Sequence, residues 1–263
     1  MTAGVSLIIP CYNHAATLER AVHSALTQGM LVELIIVDDC STDNSYAEAK
    51  RIASGNDRIR VLKTPVNSGP GAARNMAAER AMGSHLSFLD ADDELLEDYF
   101  TEALDLLAAH PEMSAIKTDE EFFDPVKGYI LPSFDPRYQA AVLSSVPGLV
   151  IDKFAFNLIG GFPVDPIFRG PFGGEDVAFM QALMAHFQPL GRIGRACYRV
   201  WSQAGSHVDT FLANTRLTKD GFEFVHLHPD QQPEGPLAKG LAVYLDKVEK
   251  TIKAARDPRS GRP

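Results

Sequence analysis

The chain has 263 residues, 45% of them hydrophobic and 22% charged, a composition that fits a soluble globular protein and excludes a disordered or fibrous one. That length suits one large α/β domain with a packed core better than two independent domains. A formal net charge of -9 argues against nucleic acid as a partner, and three scattered cysteines, Cys11, Cys40 and Cys197, argue against a disulfide framework or a zinc site and for a reducing, cytoplasmic compartment.

Val5 to Ile9 reads as a buried first strand. No basic segment or long apolar run precedes it, so a signal peptide is not expected, and no window approaches the ~18 apolar residues of a membrane span. Leu18, Ala21, Val22, Ala25 and Leu26 recur at helical spacing. Leu34 to Val37 is a second strand ending in Asp38-Asp39, and Ser41 and Asp43 are N-cap candidates for a helix to about Ser54. Ile59 to Leu62 is a third strand. Asn67-Ser68-Gly69-Pro70-Gly71 then opens an Ala-rich helix from about Ala72 to Met82, and the next strand runs into Asp90-Ala91-Asp92-Asp93-Glu94. Leu95, Leu96, Tyr99, Phe100, Ala103, Leu106 and Leu107 predict a helix that His110-Pro111 ends.

Prolines and aromatics between Phe122 and Pro147 suggest loops and short strands that shape a pocket. Glycine-rich turns at Gly160-Gly161 and Gly170 to Gly174 precede a helix starting at Glu175-Asp176, with Phe179, Met180, Leu183, Met184 and Phe187 as a core stripe. A last amphipathic helix, Leu237 to about Lys253, has three places to go: its own domain, a second subunit in a homodimer, or peripherally onto a membrane surface. The chain from Leu237 to Pro263 is mildly basic, with seven Lys or Arg against three Asp or Glu.

Alternating strands and helices predict a parallel sheet covered by helices. The carboxyl ends of such strands line the ligand crevice, so three acidic clusters, Asp38-Asp39, Asp90 to Asp93 and Glu175-Asp176, converge there. Asp-X-Asp at a strand end suits a hard divalent ion bridging a diphosphate, although Asp92, Asp93 and Glu94 could equally cap the following helix. Gly69-Pro70-Gly71 with Arg74 and Asn75 in the first helical turn offers backbone donors, a helix dipole and a guanidinium, which suits a phosphate.

Five ordered motifs resemble those of family-2 glycosyltransferases: Val5 to Asn13, Ile35 to Asp43, Asn67 to Asn75, Phe88 to Asp93, and Gly173-Gly174-Glu175-Asp176. The resemblance, over about Val5 to Trp201, implies the glycosyltransferase A-type fold, a mostly parallel α/β sheet. It implies a nucleotide-sugar-binding half (1-112) and an acceptor-binding and catalytic-base half (113-215); a C-terminal extension (216-263) lies outside it. Pro10, Tyr12 and Asp39 would then line the nucleoside pocket, Asp39 accepting from the base imide. Arg74 would lie near the base or diphosphate, and Asp90 and Ala91 at the nucleotide. Asp92, supported by Asp93 and by His207 from a later loop, would hold Mn²⁺ or Mg²⁺. Asp176 would be the general base, with Glu175 or Asp119 as the nearest substitutes.

The implied reaction is an inverting transfer from a nucleotide-sugar, a UDP-sugar, to a saccharide or lipid-linked saccharide acceptor, in cell-surface polysaccharide or glycolipid synthesis. Cys40 departs from the commoner Gly, Ser or Asn, and no acid stands two positions after Asp176. The Gln-X-X-Arg-Trp motif of processive synthases is absent, which favours single-sugar addition. A sugar-nucleotide nucleotidyltransferase or a non-catalytic nucleotide-sugar-binding protein are the other readings; the first expects a glycine-rich loop where Pro10-Cys11-Tyr12-Asn13-His14 has none, and a dehydrogenase fingerprint is missing. Trp201 reads as core or acceptor wall, and His23, His85, His186, His226 and His228 as structural.

Overall fold

The first strand, β1 (Thr2–Cys11), alternates its side chains as a strand between two helical layers must: Val5, Leu7, Ile9 and Cys11 enter one apolar cluster and Ile8 the other. The next strand, β2 (Leu31–Asp38), repeats this, with Leu34 and Ile36 on the first side and Ile35 and Val37 on the second. The computed structural model describes residues 2–169, 174–202, 205–226, 232 and 234–256. The expected Gly170–Gly173 turn, His228 and the end of the basic tail lie outside the described residues.

The two strands pair in parallel, Leu7 opposite Leu34 and Ile8 opposite Ile35. Adding β3 (Ile59–Lys63) beside β2 and β4 (Gly83–Phe88) beside β1 completes the parallel part. Helices α1 (Leu18–Leu26) and α2 (Ser45–Ala53) cover one face, and α3 (Pro70–Arg80) covers the other through Ala73, Ala77 and Ala78.

The sheet then changes sense. β8 (Leu149–Asp152) runs antiparallel between β4 and β6 (Ala115–Asp124), β9 (Gly191–Trp201) runs parallel to β6, and β5 (Glu94–Leu95) closes the edge. The resulting order is β3-β2-β1-β4-β8-β6-β9-β5, with β7 (Gly128–Tyr129) added to β6, nine strands in one sheet across residues 112 and 113. Helices α4 (Tyr99–Ala109), α6 (Lys153–Ile159) and α7 (Glu175–His186) complete the layers. The two-stranded sheet of β10 (Thr215–Thr218) and β11 (Gly221–Phe224) follows α8 (His207–Ala213).

Three local expectations need correction. The helix read from Leu95 begins at Tyr99, because Glu94 and Leu95 pair with Arg199 and Tyr198 as a strand. Asp92, Asp93 and Glu94 therefore cap no helix. The start of α2 is preceded by Asn44, and Asp43 instead accepts from Ser45 N and Oγ while Ser41 Oγ accepts from Asn13 N. The proline-marked stretch after Phe122 contains a helix, α5 (Tyr138–Ser144), beside the end of a ten-residue strand. Of the three destinations for the last helix, α9 (Pro236–Arg256) takes its own domain, burying Val248 and Ile252 against the side that holds α6 and α7. No described helix is long and apolar enough to cross a membrane.

Candidate active site

The carboxyl ends of β1, β2 and β4 and the start of α7 converge on one crevice. Asp39, directly after β2, is 2% exposed. Its carboxylate accepts from Thr64 Oγ1 at 2.7 Å, Ser68 N at 2.9 Å and Gly69 N at 2.7 Å. Gly69 N, a backbone donor expected to meet a phosphate, thus holds Asp39 together with Ser68 N, and Asp39 fastens the loop before α3 and does not cap α2. Asp38 is buried below and lines neither of the two cavities of the crevice. Cys40 sits at φ 60°, in the left-handed region where Gly or Asn is accommodated most easily.

Arg74 is the hub of the site. One guanidinium nitrogen donates to Asp176 at 2.7 Å, the other to Asp90 at 2.8 Å, and Glu175 lies at 3.7 Å. Burial works against its charge, but Asp176, Asp90 and Glu175 outweigh burial and hold its pKa above the ordinary value. Burial likewise raises the carboxyl of Asp176, with Arg74 pulling it back. The second oxygen of Asp176 faces the amide of Val146 at 3.5 Å.

In the Asp90–Asp93 segment, Tyr198 is the anchor. Its hydroxyl accepts from Asp90 N at 3.0 Å and donates to Asp93 at 2.9 Å, while Trp201 N donates to the other Asp93 oxygen at 2.8 Å. Asp93 is therefore engaged with β9 on both oxygens. The carboxylate of Asp92 takes no hydrogen bond from another described residue; burial first and Asp90 second push its pKa up. Among the described residues no three His, Cys, Asp or Glu side chains form a closed metal cage. A hard ion completed by diphosphate oxygens needs only one or two carboxylates, and an unengaged, crowded Asp92 fits that requirement.

Two cavities meet here. One, of about 600 Å³, is lined by all ten residues singled out from the sequence: Pro10, Tyr12, Asp39, Arg74, Asp90, Ala91, Asp92, Asp93, Asp176 and His207. The other, of about 480 Å³, shares Asp90, Asp93, Glu175, Asp176 and His207 and extends toward α5, α8 and β11. Asp119 lines neither and is paired with Arg192.

Sequence reasoning missed His14 and Arg169 on the first cavity and Glu120 and His226 on the second. Arg169 donates to Asn67 O at 2.9 Å from the end of a four-residue 3₁₀ helix, Pro166–Arg169, too short for any periodicity to announce. Glu120 carried one signal: it shares a strand face with Ile116, Thr118 and Phe122, an acid in a buried register.

A family model described as "Glycosyl transferase family 2" matches residues 6–154, more than half of the chain. The chain is 41% identical over 104 residues to the putative teichuronic acid biosynthesis glycosyltransferase TuaG of Bacillus subtilis, a match covering 39% of this chain and 41% of that protein. Such matches span about two fifths of the length of these curated relatives. Among solved structures, S. aureus TarS 1-349 in complex with UDP-GlcNAc superposes with a TM-score of 0.69 at 18% identity, covering 95% of this chain and 70% of that one. The mannosyltransferase PcManGT of Pyrobaculum calidifontis, in complex with GDP-Man and Mn²⁺, gives 0.57 at 18% identity, covering 97% and 75%. The structural likeness concerns the fold, the glycosyltransferase A-type architecture. With its family-model match over more than half of its length, the chain belongs to glycosyl transferase family 2.

Proposed function

We propose that this chain transfers a sugar, with inversion and with a divalent metal, from a UDP-sugar to an acceptor hydroxyl in cell-surface polysaccharide or glycolipid synthesis. The observation that carries this reading is the junction of two cavities at Asp176, one lined by Asp39, Asp90 and Asp92, the other entering from α5 and α8. A donor and an acceptor placed in them would meet at that carboxylate. The UDP-GlcNAc complex of TarS supports uridine, and the name of TuaG supports a surface polysaccharide.

In this mechanism the acceptor oxygen bonds to the anomeric carbon as the bond from that carbon to the diphosphate breaks, and Asp176 takes the hydroxyl proton. Arg74 holds Asp176 toward the reaction and helps keep it ionised against burial. Asp39 takes the base imide on a carboxylate that it shares with Thr64 Oγ1, Ser68 N and Gly69 N, while Tyr12, 42% exposed, offers a stacking face. Mn²⁺ or Mg²⁺, held by Asp92 with His207, would supply charge against the leaving diphosphate, and Asp93 would fix the cluster from behind. We place the reaction in the cytoplasm, at the inner membrane face for a lipid-linked acceptor; the free thiols of Cys11, Cys40 and Cys197 support a reducing compartment.

A screen of nucleotide sugars for slow hydrolysis in Mn²⁺ tests the donor without knowledge of the acceptor. UDP-sugars are expected to lose their sugar, and chelator or Asp92→Ala to stop the loss. Hydrolysis of GDP-sugars alone would overturn the uridine reading, and hydrolysis indifferent to chelator would overturn the metal. Once the acceptor is known, Asp176→Asn should lower transfer at least about a hundredfold with UDP affinity retained, since a positioned base contributes about 10² to 10⁴.

A further inference from the structure

The second cavity has an unusual charge balance for a site that must admit a substrate. Five carboxylates line it, Asp90, Asp93, Glu120, Glu175 and Asp176, and among the described residues no lysine or arginine does. Arg74 and Lys117 lie behind the lining, so the acids outnumber nearby cations. The remaining wall is largely apolar, including Phe122, Phe211, Phe222 and Phe224.

Glu120 is an acid that the transfer chemistry leaves without a task. It is 3% exposed, and its Oε1 accepts from Lys117 Nζ at 2.6 Å. Lys117 is fully buried and also donates to the carbonyl of Pro147. The other oxygen, Oε2, accepts no hydrogen bond among the described residues. A buried acid with one oxygen held and the other unengaged at a cavity wall is a positioned hydrogen-bond acceptor.

We propose that this cavity receives the neutral, polyhydroxylated end of the acceptor, with Glu120 accepting a hydrogen bond from a second hydroxyl while Asp176 takes the proton of the reacting one. The inference rests on the transferase reading and adds the acceptor class. A phosphate or uronate entering here would meet five carboxylates, with His207 and His226 but no lysine or arginine on the described wall, which disfavours it by repulsion. The apolar faces of a sugar ring instead match the phenylalanines.

The test uses the UDP-sugar that the hydrolysis screen identifies and reads UDP release with four probes: two neutral rings, methyl β-glucoside and methyl β-galactoside, and two anionic sugars, glucuronic acid and glucose 6-phosphate. A neutral glycoside is expected to accelerate UDP release over hydrolysis, and the two anionic sugars to do so at least about tenfold less. Glu120→Gln should lower kcat/KM for the neutral probe about tenfold, chiefly through KM, with UDP affinity retained. Because that variant strands the buried ammonium, the Lys117→Met/Glu120→Gln pair is measured beside it and should show the same KM effect. Acceptance of anionic sugars as readily as neutral ones, donor hydrolysis that no neutral probe accelerates, or full acceptor kcat/KM in both folded variants would overturn the proposal. Absence of UDP-sugar hydrolysis in the unaltered protein would instead remove the donor reading, and this inference with it.

Discussion

Arg74 shows how one side chain can link folding to chemistry. Its side chain is 3% exposed, and two of its nitrogens are matched to Asp176 and Asp90 at hydrogen-bond distance. A buried charge of this kind is tolerated because it is paired, so removing it leaves the acids uncompensated. Arg74→Met should destabilise the chain by about 3 to 5 kcal/mol in urea denaturation and reduce transfer steeply. Arg74→Lys should restore little, since an ammonium lacks the planar fork that serves two carboxylates at once. Stability equal to that of the unaltered protein in both variants would show that the ion pairs are incidental. Glu175, beside this hub, gives a pH signature. Burial first and Asp176 second push its carboxyl from 4.5 up to about 7, against Arg74. The folded chain therefore keeps a proton that the unfolded chain releases above its ordinary pKa. This stabilising contribution is full below that value and disappears as pH rises through about 7. Glu175→Gln should flatten the loss of stability between pH 4.5 and 7.5, a difference on the order of 3 kcal/mol at 1.36 kcal/mol per unit. Parallel stability curves for the two proteins would exclude this role.

The turn that ends α6 is held by two helices far apart in sequence. Asn75 of α3 accepts from Phe162 N at 2.8 Å and donates to Phe162 O at 2.9 Å, while the Tyr244 hydroxyl of α9 donates to Gly161 O at 2.7 Å. Gly161 lies at φ 76°, and a side chain there would press on Asn75, so the turn requires its glycine. The last helix is thus part of the scaffold behind Asp176. Gly240 lets it approach closely, since an added Cβ would stand 2.8 Å from Ile167 Cγ2. Gly240→Val should cost about 1 to 3 kcal/mol through overpacking. Asn75→Ala should cost a similar amount by leaving both backbone groups of Phe162 without their partner. Melting measurements should show each as a loss of several degrees; unchanged melting in both would make α9 an ornament on the domain.

At the scale of the whole molecule, short apolar runs alternating with helical spacing revealed the α/β layers, because Leu7, Ile8 and Ile9 must each find an apolar layer wherever the chain goes. The acids at strand ends were legible for a similar local reason: each cluster adjoins its own strand or helix. What stayed hidden was partnership. Nothing near Arg74 in the chain names Asp176, 102 positions away, and the pairing of Lys117 with Glu120 is buried only because β6 lies between β8 and β9. The short pairing of Glu94-Leu95 with β9 was likewise invisible, and helical spacing filled the gap. A division at residue 112 separates parts that share core: Val150, Ile193 and Tyr198 pack in one cluster with Leu7 and Ile36, and β4 pairs directly with β8. Two-state unfolding is not the default for 263 residues, but halves joined by one sheet and a common core have little means to melt separately. The chain's single tryptophan, Trp201, lies at the end of β9, its indole NH on Glu94 at 2.9 Å and Arg20 at 4.4 Å from its ring. Its fluorescence reports the point where the two halves meet. In a urea titration that signal should change together with far-UV circular dichroism, with one midpoint and one slope. A tryptophan transition at clearly lower urea, with most secondary structure retained, would mean that residues 113-215 open as a unit of their own, and the boundary read from the sequence would then mark a real division of stability.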